Sequence, residues 1–339
     1  MTYALIGMRT ISGVYHHGVL PVVAFAIGWL IAEESSDKQI RDGILALTAG
    51  FGTYATLNML VNIGNNRYRL IDFWTGTYRA ATGSGALNTL PISVAPYAVK
   101  FEKRLPVKIM FLALFFATIQ YMFMLGTRTQ FAILLLIVIL AALQFAYSEQ
   151  GIAGVLKCIG IMAVISLIAF LLYHFNVLSI RDYILSTNLA ARYERRASLE
   201  NADSFRFQSF WIGLRELIQY PMGGRASQVY RHNMWLDVGR VSGIIPFCLL
   251  LVYSIKNFAN VTVIWKNTKI LPSLRYLLLF LYIGAYVNCF VEPIWEGALN
   301  FFLALCVVDG MVSAMMRRLE NDPTPEESVS DTSNLHTDL

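Results

Sequence analysis

Three short segments hold side chains suited to a phosphorylated substrate. The first is Tyr230-Arg-His-Asn-Met-Trp-Leu-Asp-Val-Gly-Arg240. His232 there can act as a base near neutral pH, or donate to a phosphate when charged. It can also be a plain polar residue at a helix start. Arg231 and Asn233 flank it. The second segment, Ser204 to Pro221, carries Arg206; the third, Leu125-Gly-Thr-Arg-Thr-Gln130, places Arg128 in a turn between two apolar runs. Arginine grips phosphate bidentately through its planar fork and keeps its charge at any physiological pH. For Arg128 the competing reading is snorkelling to lipid phosphates; for Arg206 it is a solvated or headgroup-binding side chain. Arg192 is a further cation in the same stretch as Arg206. Glu292-Pro-Ile-Trp-Glu296 offers two carboxylates, as a base or as partners of the arginines, and pairing is the simpler use. Asp237 and Arg240 stand one turn apart in an apolar run, the arrangement of an internal structural pair. No HExxH, Walker A or GxSxG pattern occurs, and His16-His17 stands without partners. The four cysteines lie in apolar runs with no CxxC, which excludes a disulfide framework and argues against a thiolate metal site. No metal and no cofactor is expected.

These residues must be positioned by membrane helices. Of 339 residues, 56% are hydrophobic and only 14% charged, against roughly a quarter charged in a soluble domain. A bilayer core takes about 20 apolar residues per helix. Nine candidate spans follow: 15–32, 42–61, 86–101, 107–125, 129–147, 153–173, 235–255, 273–292 and 297–315. The third is weak, with Asn88, Pro91 and Pro96. The sequence therefore predicts an all-α polytopic bundle over 1–318, followed by an acidic, Ser/Thr/Pro-rich cytoplasmic tail, 319–339, of disordered composition. No basic n-region leads directly into the first apolar run, so no cleaved signal peptide is expected. The net charge of +5 is split between two faces and is no nucleic-acid signal.

The basic turns at 100–108, 256–275 and 317–318 belong inside by the positive-inside rule. Every lysine, Lys38 to Lys269, then falls on the cytoplasmic side, while the outer segments 62–85 and 174–234 are rich in arginine and free of lysine. Long outer loops escape the charge rule, but that permits the arginines without explaining them. A phosphate-binding outer site does. In the larger loop, Phe207, Phe210, Trp211, Leu214, Leu217 and Ile218 have helical spacing, capped by Asp203 or Ser204 and ended by Pro221 and Gly223-Gly224. This helix should lie along the membrane surface with Trp211 at headgroup depth.

Three of these segments, in this order, resemble the O-antigen ligase and polymerase family of bacterial membrane glycosyltransferases. Gly126-Thr-Arg-Thr-Gln130 is similar to the family's Ser-x-Ser-Arg-Gly turn, departing at Thr127 and Thr129. Arg206-Phe-Gln-Ser-Phe-Trp211, running to Tyr220-Pro-Met-Gly-Gly224, is similar to its Arg-x4-Trp…Pro-x-Gly segment. His232-Asn-Met-Trp-Leu236 with Gly243-Ile-Ile245 is similar to its His-Asn-x-x-Leu…Gly pattern, and Thr82-Gly…Asn88 is a looser fourth. The resemblance implies a GT-C-like fold in the bacterial cytoplasmic (inner) membrane. It implies transfer of a glycan from undecaprenyl diphosphate to a glycan or lipid-linked acceptor hydroxyl, in lipopolysaccharide or capsule biosynthesis, without metal or nucleotide. Arg128 and Arg206 would bind the diphosphate, with His232 at the reacting centre. Arg231, Asn233, Glu292 and Arg192 are further candidates. Whether the acceptor is a lipid-anchored core sugar (ligase) or another repeat unit (polymerase) stays open. A transporter or flippase of lipid-linked sugars is the alternative from another class. An outward-facing acyltransferase built on His232 would not need so many arginines.

Overall fold

Seven helices among the described residues are long and apolar enough to cross a membrane, which makes the chain a multi-pass helical membrane protein. The computed structural model describes residues 15–62, 69–197, 202–225 and 229–321. After a π-helical turn (Tyr15–Val19) come α1 (Leu20–Glu33) and α2 (Asp37–Leu60). A hairpin of β1 (Arg69–Ile71) and β2 (Tyr78–Ala80) leads into α3 (Ala81–Lys100), α4 (Leu105–Leu125) and α5 (Arg128–His174). Four shorter helices follow: α6 (Ile180–Ser186), α7 (Asn188–Ala197), α8 (Ala202–Gln219) and α9 (Met234–Ser242). The chain continues with α10 (Ile244–Lys266), α11 (Pro272–Val291), the one-turn α12 (Ile294–Gly297) and α13 (Leu299–Asn321).

The 47 residues of α5 would run about 70 Å if straight, more than twice a hydrocarbon core. They do not run straight. Gly151 takes φ 61°, ψ −143°, and a Cβ at Gly154 would collide with the Ala146 carbonyl oxygen. The chain thus folds back on itself at Gly151, a position that needs a residue free to adopt positive φ. Beside this reversal Lys100, at the end of α3, pairs with Glu149.

The segment that reads as a weak third span is the centre of the bundle. Helix α3 packs against α2, α4, α5 and α11, and residues 85–98 are buried throughout. A helix shielded from lipid has no need of an unbroken apolar surface, so Asn88, Thr89 and Ser93 are tolerated, with Pro91 and Pro96 inside the helix. At its lysine-bearing end, the hydrogen bonds of Arg104 to Glu102 hold that carboxyl down at about 2.

Two expectations change. The run at 235–255 is not one span. Gly243, at φ 96°, separates the wholly buried α9 from α10, so the spanning helix begins at Ile244 and ends at Lys266. Lys256 therefore sits within α10 rather than in a basic turn, where its long stem can snorkel. The segment 62–85 is not simply loop: within an otherwise helical fold, β1 and β2 pair antiparallel, Leu70 opposite Arg79. Three-residue strands give too little alternation to read. Polar side chains fix them instead, with Asn62 bonding the Ile71 backbone at both its N–H and its carbonyl oxygen, and Asn58 accepting from the Phe73 N–H. Helix α13 extends to Asn321, past the expected end at 318; the tail from 322 lies outside the described residues, as does the start before Tyr15.

Helix α1 is held chiefly by α13. Ala24, Gly28 and Ala32 line its buried face, and the buried face of α13 carries Cys306, Gly310 and Ala314 at the same spacing. Small residues at i, i+4 and i+8 let backbones approach closely in membranes. A Cβ on Gly310 would collide with the Phe25 carbonyl oxygen and stand 2.7 Å from the Trp29 nitrogen. Because backbone cannot yield as a side chain does, Gly310→Ala is expected to destabilise by about 1–3 kcal/mol, read as a lower thermal midpoint in detergent. An unchanged midpoint would mean α1 shifts freely.

Candidate functional site

The arginines gather where α4 turns into α5. Gly126 ends α4 in a left-handed conformation, φ 66°, and Arg128 is the first residue of α5. Helix α7 docks onto this turn. Asn188 donates to the Met124 carbonyl at 2.6 Å, and Arg192 Nη1 donates to the Gly126 carbonyl at 2.9 Å. A Cβ at Gly126 would lie 2.7 Å from Arg192 Cδ; the turn needs glycine for its φ and for the side chain that crosses it. The guanidinium carbon of Arg128 is 6.0 Å from the ring centre of Tyr193, within cation–π range. Arg128, half-buried, and Arg192 therefore serve one turn, though 64 residues separate them in sequence. Next to Arg128, the Thr129 hydroxyl donates to Glu292, whose residue is 2% exposed. That contact ties the start of α5 to the end of α11.

A second group surrounds α9. Asn233 caps it, accepting from the Leu236 N–H at 3.0 Å while its amide nitrogen donates to the Phe290 carbonyl at 3.2 Å. Asn233 thus sets the helix start and ties it to α11. His232 stands just before the cap with φ 55°, a left-handed conformation uncommon for a non-glycine residue. Its ring meets Tyr230 edge-on at 4.7 Å. Arg231 forks onto Glu216 of α8, with Nη2 at 2.7 and 2.8 Å from the carboxylate oxygens and Nε at 3.1 Å. Its backbone N–H also donates to Asp237 at 2.6 Å. That geometry makes Arg231 a brace between α8 and α9.

The Asp237–Arg240 pair is present, Nε to Oδ1 at 3.7 Å, but it belongs to a wider network. Arg240 also donates to Glu296 and to the Arg225 carbonyl. Burial pushes the Asp237 carboxyl up to about 6, against the backbone hydrogen bond from Arg231. Arg225 stacks over Tyr220 at 4.2 Å.

The helix expected in the long loop is α8, but the apolar residues of its spacing are divided between two sides. Phe207, Trp211 and Ile218 are exposed. Ser209, Gly213, Glu216 and Leu217 face the protein, with Gly213 against Leu236 and Arg231, and Leu217 against Gly239. The backbone of Arg206 lies in the first turns of α8; its side chain lies outside the described residues. Among the described residues, no three His, Cys, Asp or Glu side chains come together as a metal site.

One buried group escaped the sequence reading. Both oxygens of Asp309, in the middle of α13, accept from tyrosine hydroxyls, Tyr253 at 2.7 Å and Tyr282 at 2.5 Å. A lone Asp in an apolar run was the available signal. No protein-family model matches the chain, and no curated protein matches it.

Proposed function

We propose that this protein is a membrane glycosyltransferase of the O-antigen ligase and polymerase type. It takes a glycan from a polyprenyl diphosphate at the outer face of a bacterial cytoplasmic membrane and passes it to an acceptor hydroxyl. The observation that carries this reading is the placement of Arg128 and Arg192 at one turn, between α4 and α5. Two fixed guanidinium groups suit a diphosphate leaving group, whose charge grows as the glycosidic bond breaks. His232, one residue before a buried helix cap, is the group assigned to the acceptor proton. On this reading the bundle makes nine crossings in a GT-C-like arrangement: α1 to α4, both arms of α5, α10, α11 and α13. The segment from α6 to α9 then covers the outer end.

The test is binding. Purified protein in nanodiscs should hold polyprenyl diphosphate at least about tenfold more tightly than polyprenyl monophosphate, the margin of one added charge-assisted pair. Equal affinities would remove the diphosphate site. The topology has its own check. Leu178, 90% exposed between α5 and α6, should as Leu178→Cys react with an impermeant thiol reagent in intact spheroplasts; labelling only after lysis would invert the chain.

A second reading, transport of lipid-linked sugars, draws on Asp309. An ionisable residue deep in a bundle is a feature of translocation paths.

A further inference from the structure

Three helices bring neutral polar side chains together just inside the Arg128 turn. Asn288 of α11 is 0% exposed, and neither its amide oxygen nor its amide nitrogen has a hydrogen-bond partner among the described residues. Gln130 of α5 is 1% exposed with its amide nitrogen unsatisfied, and Thr89 of α3 is 0% exposed with its hydroxyl unsatisfied. Three contacts link their helices within about one turn of one another. Gln130 lies against Gly85, one turn before Thr89; Thr89 lies against Gly284, one turn before Asn288; and Thr129 bonds Glu292, one turn after Asn288. Each buried polar group left without a partner bears its full desolvation penalty. Natural structures keep few of them. Several on one spot, contributed by three helices, mark a site built for something other than stability.

The chemistry of the lining defines what it takes. Amides and a hydroxyl offer donors and acceptors together and carry no charge, which matches vicinal hydroxyls and not a phosphate. Arg128 stands two residues before Gln130, and the carboxylate of Glu292, bonded by Thr129, stands one turn after Asn288. We propose that Asn288, Gln130 and Thr89 form a saccharide subsite, reading hydroxyls of the sugar attached to the diphosphate. This rests on the proposed function and adds to it a specificity determinant for the donor sugar.

Asn288→Leu and Gln130→Met separate the possibilities, because each removes buried polar groups while keeping volume. Two ligands are compared in nanodiscs, polyprenyl diphosphate alone and the same lipid carrying an oligosaccharide. In the wild type the oligosaccharide should tighten binding. In each variant that gain should vanish, a loss of about tenfold, with affinity for the bare lipid diphosphate unchanged and the thermal midpoint equal or higher. Retained oligosaccharide affinity with a raised midpoint would make the cluster a hydrated packing defect and overturn the subsite. A lowered midpoint with loss of both ligands would make it structural and overturn it as well. Failure of the wild type to bind either lipid would instead overturn the diphosphate reading, and the subsite with it.

Discussion

Replacing His232 by Ala is expected to abolish glycan transfer while leaving the protein folded in its membrane. The backbone argument separates the two effects. His232 has φ 55°, and Ala tolerates that region no better than His, so strain is nearly unchanged. Asn233, which caps α9, and Arg231, which braces α8, keep their bonds. What is lost is a proton-accepting ring, and general-base catalysis contributes about 10²- to 10⁴-fold. Two companions sharpen the test. His232→Gly relieves a left-handed residue and should raise stability by about 1 kcal/mol, yet be as inactive as the Ala variant. His232→Gln can hydrogen-bond but cannot take a proton near pH 7. Activity recovered in Gln would assign positioning rather than proton transfer. Normal transfer by the Ala variant, measured as glycan released from the lipid, would remove His232 from the reaction.

Arg128→Lys is expected to lower activity about tenfold or more, and Arg128→Ala further, because charge-assisted hydrogen bonds contribute about 1.5–3 kcal/mol each. Lys keeps the charge but loses the planar fork. The turn itself should survive, since α7 holds it through Asn188, which donates to the Met124 carbonyl, and through Arg192, which donates to the Gly126 carbonyl. Arg206→Lys is expected to follow Arg128→Lys. Full activity in both Lys variants would leave these arginines to lipid phosphates.

How much of this was legible in the sequence varies by element. Lipid-facing helices announce themselves through apolar length, so α4 and α10 stand out. Helix α3 is faint for a physical reason, since a central helix shielded by four neighbours can carry Asn88, Thr89 and two prolines. The break at Gly243 hides because α9 is buried and therefore apolar enough to read as the start of α10. At the site, Arg128 could be singled out from its turn. Its association with Arg192 could not, because a docking of α7 onto Gly126 is a long-range contact with no local signature. Arg231 is only a further candidate in the sequence, because its bidentate partner Glu216 lies 15 residues back, on another helix. The β-hairpin depends on Asn58 and Asn62 reaching across from α2, again a tertiary effect.

The most direct measurement reconstitutes purified protein in proteoliposomes with a polyprenyl-diphosphate oligosaccharide and a polyprenyl-linked or lipid-anchored saccharide acceptor. The account predicts that the glycan leaves its lipid, that free polyprenyl diphosphate appears in equal amount, and that His232→Ala stops both. Lipid-linked oligosaccharide that crosses the bilayer intact, with no polyprenyl diphosphate released, would contradict it and make the protein a transporter.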